Sequence, residues 1–169
     1  MIVAIFGQSC TGKTVVSKQL ASRLRVPIRN CGEIVKQRAR ELKCMPGELS
    51  KAVHESIDSE TRRIACSSRE VVMEGCFLPN VLGAIEGVLW VELVCEDEER
   101  RRRWFRRTDS RKEVHDHLSE RDTSDSDLLG ELFTDPLEPG SDKLVVETTN
   151  LSIDRVVDLI HERIKARDY

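Results

Sequence analysis

The sequence lacks most of the features that would announce a secreted, metal-bound or nucleic-acid-binding protein. Its cysteines, at 10, 31, 44, 66, 76 and 95, never fall in a Cys-x-x-Cys spacing, so neither a zinc site nor a redox pair is expected. They read instead as reduced thiols. The chain opens directly on an apolar strand pattern, which leaves no room for a signal or transit peptide, and a cytoplasmic protein is expected. No apolar run approaches the length of a membrane span, so no membrane partner is expected. The net charge of −3 gives no general attraction to nucleic acid or anionic lipid. The four histidines are scattered without an acid or Cys at ligand spacing. There is no internal repeat.

What is present begins at residue 2. The apolar run Ile2-Val3-Ala4-Ile5-Phe6 leads into Gly7-Gln8-Ser9-Cys10-Thr11-Gly12-Lys13-Thr14, and a helical pattern continues to Leu24. Two glycines with Lys-Thr after the second, set between strand and helix, form the phosphate-binding P-loop pattern. Gly7 and Gly12 can take conformations a Cβ would penalise, so the loop curls with its N–H groups inward. The helix behind it adds its positive end. Lys13 can reach the β and γ phosphates of ATP, and the Thr14 hydroxyl can ligate Mg²⁺. A plain Gly-containing turn before an amphipathic helix is the alternative, and it does not require Lys-Thr.

Alternating elements follow. Strand patterns fall at Val26-Pro27-Ile28, Val71-Val72-Met73, Val88 to Val94 and Leu144-Val145-Val146. Helical patterns fall at Thr14–Leu24, Glu33–Leu42, Pro46 to about Cys66, and Glu96–Arg107. Ser110-Arg-Lys-Glu113 reads as a capping box opening the next helix, and Ser152 as the cap of a last helix with Ile153, Val156, Val157, Ile160 and Ile164 on its apolar face. Strands separated by helices predict a three-layer α/β fold, a parallel sheet with helices on both faces. A chain of 169 residues suits one domain. The polar stretch 108–140, with Asp/Ser clusters and prolines, reads as a disordered segment or a moving lid.

Further candidate site residues follow from position. Glu74 ends a strand at the edge where ligands of such folds collect, so it could hold the Mg²⁺ water shell. It could equally be a solvated or capping acid. Arg100, Arg103, Arg107 and Arg111 share a helix face and could stabilise a transferring phosphoryl group, although most charges in this Arg-rich run read as solvated and paired with Glu96 to Glu99. Arg62, Arg63 and Lys36 are candidates for a second phosphate. No Asn-Lys-x-Asp guanine motif exists, and Asp127-Leu-Leu-Gly130 does not follow a strand, so a GTPase is excluded.

The second half resembles a known family. Glu120-Arg121-Asp122-Thr-Ser-Asp125, Pro136-Leu137 and Asp142 through Thr148-Thr149-Asn-Leu151-Ser152 to Val156 are similar to the C-terminal third of bacterial cytidylate kinases. Asn30-Cys-Gly32-Glu33-Ile34-Val-Lys36 and Ile57-Asp58 through Arg62-Arg63 resemble the shorter archaeal-type members. The resemblance implies a nucleoside monophosphate kinase-like fold with an acceptor arm at about 30–68 and a mobile lid at about 108–130. It implies transfer of the ATP γ-phosphate to CMP or dCMP with Mg²⁺, by a monomer or small homo-oligomer. Lys13, Arg103 and Arg107 would be catalytic, and Gly7 to Thr14 would bind ATP. Lys36, Arg62, Arg63 and Arg121 would hold the acceptor phosphate, with Asp125 at its sugar. The chain departs from the family where Cys76 and Phe77 replace an Arg-Asp pair and Leu128 replaces an Arg. Those changes leave open another small-molecule acceptor, or a catalytically weakened nucleotide-binding regulator.

Overall fold

The computed structural model describes residues 1–83, 85–108, 114–133, 139–140 and 142–167. The expected capping box at 110–113, Arg111 and Pro136-Leu137 lie outside the described residues, as do the side chains of His115 and His117.

Five strands form one all-parallel sheet. They are β1 (Ile2–Phe6), β2 (Ile28–Asn30), β3 (Val71–Glu74), β4 (Val88–Val94) and β5 (Lys143–Glu147), in the spatial order β2-β3-β1-β4-β5. Every residue of β1 is buried, as expected of a central strand covered on both faces. On one face, α1 (Lys13–Leu24) and α7 (Ile153–Lys165) pack Val16, Leu20, Val156, Val157 and Ile160 against Val3, Ile5, Leu89 and Leu93. On the other, α3 (Lys51–Ser67) and the short α4 (Leu78–Leu82) bring Ala65, Leu78, Val81 and Leu82 onto Ala4, Phe6, Met73 and Trp90. Helices α2 (Cys31–Leu42), α5 (Asp97–Thr108) and α6 (Val114–Leu132) complete the described elements. No helix among the described residues is long and apolar enough to cross a membrane.

Three expectations need correction. The second strand starts at Ile28 because Val26 N still bonds Ala21 O, closing the end of α1. Pro46 begins only a single 3-10 turn, Pro46–Glu48; Leu49 and Ser50 are extended, and α3 starts at Lys51. The stretch 114–132 is not a disordered segment: it is the helix α6, which starts where the capping box placed a helix, anchored by buried Leu118 and by Phe133 just past its end on the second core. Ser152 does cap α7, its side chain accepting from Arg155 N. The loop after β1 and the end of β3, which carry candidate site residues, lie at the C-terminal edge of adjacent strands.

Candidate phosphate-binding site

The loop between β1 and α1 is shaped by its glycines. Gly7 (φ 137°) and Gly12 (φ 101°) both lie in the left-handed half of backbone space, as does Cys10 at φ 64°. A Cβ on Gly7 would sit 2.2 Å from the Leu93 carbonyl oxygen. Gly7→Ala therefore meets both backbone strain and a rigid clash, and should lower stability by about 3 kcal/mol or prevent folding. A thermal melt monitored by circular dichroism checks this.

Gly12 precedes α1 and offers no side-chain cap, so the first N–H groups of the helix remain available to an anion. Lys13 is buried, and its Nζ donates to the Gln8 carbonyl at 2.7 Å, arching over the loop. The Thr11 hydroxyl donates to the same carbonyl at 2.9 Å. Thr14 Oγ1 donates to Glu74 Oε1 at 3.1 Å, which brings together the two residues predicted to organise Mg²⁺. Glu74 is 4% exposed and its other oxygen, Oε2, has no partner among the described residues. Burial pushes the Glu74 carboxyl above its usual pKa, opposed by the nearby Lys13 ammonium and by the Thr14 hydrogen bond. An unpartnered buried carboxylate oxygen beside a hydroxyl is a donor set of hard oxygens that fits Mg²⁺. That ion needs few protein ligands, because phosphates and waters complete its shell.

Asn30 sits level with Glu74 across the β2–β3 ladder. Its Oδ1 caps α2 by accepting from Glu33 N, while its Nδ2 is buried and has no partner among the described residues. Sequence reading assigned Asn30 no role; its place at a strand end before a helix marks it as a cap, and nothing in the sequence shows the spare amide.

Lys36 bonds Glu33 at 2.7 Å on the exposed side of α2, and both charges act on Glu74. Arg121 pairs with Asp125 one turn on, at 3.3 Å. Both act on Cys76, whose thiol burial pushes up, as do Lys13 and Glu74. Lys13, Glu74, Lys36, Arg121 and Asp125 thus surround one region beyond β3. Arg62 faces elsewhere: its Nε donates to the Val81 carbonyl of α4 at 2.8 Å, and Arg63 is exposed.

The arginines of α5 differ from one another. Arg100 is buried at 1% exposure and donates to the Ser9 carbonyl at 2.9 Å, to Asp97 at 2.8 Å and to Asp122 at 2.5 Å. Arg103 pairs with Glu99 and donates to the Thr148 carbonyl at 2.6 Å and to Thr148 Oγ1 at 3.1 Å. Thr148 Oγ1 lies 3.0 Å from both Thr11 O and Val94 O, and its single proton serves one of them at a time. The Thr148-Thr149 pair is therefore a brace between the loop, β4 and α5. Arg107 is exposed, and its charge reaches the Cys10 thiol.

Asp58, on α3, is half-buried, and burial raises its carboxyl to about 6, opposed by Arg62 and reinforced by Glu55. With the folded value above the unfolded one, the folded state holds the proton more tightly between about pH 4 and 6. Stability therefore falls as pH rises through that window. Asp58→Asn should flatten the slope and raise stability at pH 7 by on the order of 1 kcal/mol after solvent screening. Melting curves from pH 4 to 8 test it.

Residues 3–127 match the family described as AAA domain. No curated protein sequence matches the chain. Among solved structures, it is similar to shikimate kinase from Bacteroides thetaiotaomicron, with TM-score 0.65, 16% identity and 98% of each chain covered. A gluconokinase from Sinorhizobium meliloti 1021 gives TM-score 0.61 at 14% identity, covering 99% of this chain and 97% of that one. Deoxyadenosine kinase from M. mycoides, with dCMP as product and a flexible dCDP bound, gives TM-score 0.60 at 13% identity, covering 98% of this chain and 100% of that one. At such identities the likeness is one of fold.

Proposed function

The chain belongs to the AAA domain family and has the fold of P-loop kinases, and from that premise we propose that it moves the γ-phosphate of ATP to a nucleoside monophosphate, CMP or dCMP first among them. The observation that carries the reading is the pairing of Thr14 with the buried Glu74 at the mouth of the P-loop, with the Lys36 charge acting on that carboxylate and the Arg121 charge on the Cys76 thiol just beyond it. The loop N–H groups and Lys13 hold the triphosphate. Thr14 and Glu74 would hold Mg²⁺, which when bound neutralises charge on the β and γ phosphates. Lys36 and Arg121 hold the acceptor phosphate, and exposed Arg63 is a further cation on the arm, about 30–68; Arg62 would join them only by leaving the Val81 carbonyl. Asp125 meets the acceptor sugar.

No protein nucleophile is needed, since an acceptor phosphate oxygen attacks the γ-phosphorus in line and ADP leaves. Arg103 and Arg107 would reach the transferring group from α5, and closure of the 108–130 region would exclude water from the site. For Arg103 this requires giving up its bonds to Thr148. The protein then acts in the cytoplasm on small molecules, as a monomer or small homo-oligomer.

A second reading, a kinase with a hydroxyl acceptor, is favoured by Cys76: a half-buried neutral thiol stands where the cytidylate kinase pattern has a cation. ADP formation with ATP and Mg²⁺, in separate incubations with CMP, dCMP, UMP, AMP, GMP, shikimate and gluconate, decides between them. A rise with CMP or dCMP supports the first reading. A rise only with a hydroxyl acceptor replaces it.

A further inference from the structure

Arg100 stands apart from its neighbours in the Arg-rich helix because it is buried and fully engaged. One guanidinium joins three segments: the P-loop through the Ser9 carbonyl, its own helix through Asp97, and α6 through Asp122. It is held by two carboxylates, Asp97 exposed and Asp122 at 27% exposure, so its charge is more than balanced locally. A cation so neutralised has little left to offer a phosphate directly.

Its geometry suits another task. The bond to Ser9 O is made on the carbonyl side of the Ser9–Cys10 peptide unit, the side opposite the N–H. A guanidinium there fixes the plane of that peptide and polarises it, making the Cys10 N–H a stronger donor to an anion. Conversely, an anion drawing on Cys10 N–H strengthens the Ser9 carbonyl as an acceptor for Arg100. The other end of the same guanidinium holds Asp122, the residue after Arg121 and three before Asp125 on α6. Those two flank the region beyond β3 where Cys76 feels them.

We propose that Arg100 and Asp122 are positioning residues that couple occupation of the P-loop to the placement of Arg121 and Asp125. Nucleotide at the loop tightens the Ser9–Arg100–Asp122 chain and orders α6 over the acceptor region, so the acceptor groups assemble when the phosphoryl donor is present. The inference rests on reading the P-loop as a nucleotide site and α6 as acceptor-facing. Its test needs nucleotide alone, so it stays readable if CMP proves to be the wrong acceptor.

Hydrogen exchange is followed on the full chain with and without Mg²⁺ and a non-hydrolysable ATP analogue, alongside calorimetric binding of the same analogue. In the wild type, amides of 114–132 should exchange about fivefold or more slowly with the analogue bound. Asp122→Asn, at a half-buried surface position, should lose the slowing in α6 while weakening analogue binding by no more than about fivefold, the size of the coupling removed, because linkage is reciprocal. Asp122→Glu should recover part of it. Arg100→Lys keeps the charge but cannot make all three bonds, and should lose both some affinity and the α6 response. Unchanged α6 protection in Asp122→Asn overturns the proposal, as does a wild type whose α6 ignores the analogue. Loss of analogue binding in Asp122→Asn overturns it too, since Asp122 would then serve the loop itself.

Discussion

Lys13→Met is expected to reduce ATP-dependent phosphoryl transfer by at least about 10³-fold, because a cation on the transferring group is among the largest contributions to this chemistry. The lysine is buried and spends its ammonium on the Gln8 carbonyl, a bond that a triphosphate at the loop would compete for. Methionine keeps the stem and its packing, so the fold should survive with a melting curve close to the original. Nucleotide affinity should drop less than turnover, since the loop N–H groups and the end of α1 remain. Comparing the affinity for an ATP analogue with the rate of ADP formation separates the two. A loss of affinity with turnover at saturating ATP unchanged would mean Lys13 contributes only to ground-state binding.

Glu74→Gln is expected to move activity and stability in opposite directions. The carboxylate is buried, one oxygen is unpartnered, and burial raises its pKa, so the ionised form is costly in the folded protein. As a group whose folded value is raised, it weakens the fold as pH rises through its titration. Glutamine removes that charge while its carbonyl can still accept from Thr14. Stability at pH 7 should rise by on the order of 1 kcal/mol, and turnover should fall by about 10²-fold or more with a higher Mg²⁺ requirement. Melting curves and a Mg²⁺ titration of the rate read both effects from one preparation. A variant that is less stable and equally active would remove Glu74 from the site.

The sheet was legible because buried parallel strands read as unbroken apolar runs. Ile2 to Phe6 and Val88 to Val94 appear in the fold with the expected ends. The P-loop was legible because its glycines, Lys13 and Thr14 lie next to one another in the chain. Thr14 and Glu74 are 60 residues apart, and only strand position linked them; the structure puts them in hydrogen-bond contact. What sequence could not show depends on long-range burial. The capping box announced a helix after residue 113, but the length of α6 was hidden, because Asp and Ser favour turns over helix interiors and the apolar anchors Leu118 and Phe133 are too sparse to set a period. Arg100 looked like Arg103 and Arg107 on the same face, since its burial depends on Ser9 and Asp122, far away in the chain. The Thr148-Thr149 signature was recognised without a reason; the brace between Thr11, Val94 and Arg103 supplies one.

The central claim is that the γ-phosphate of ATP passes to a nucleoside monophosphate. Incubating the protein with Mg²⁺, γ-labelled ATP and CMP, then separating the nucleotides, tests it without intermediaries. The account predicts label in CDP, absent with Lys13→Met. Label appearing only in inorganic phosphate, at a rate indifferent to CMP and to dCMP, would contradict it.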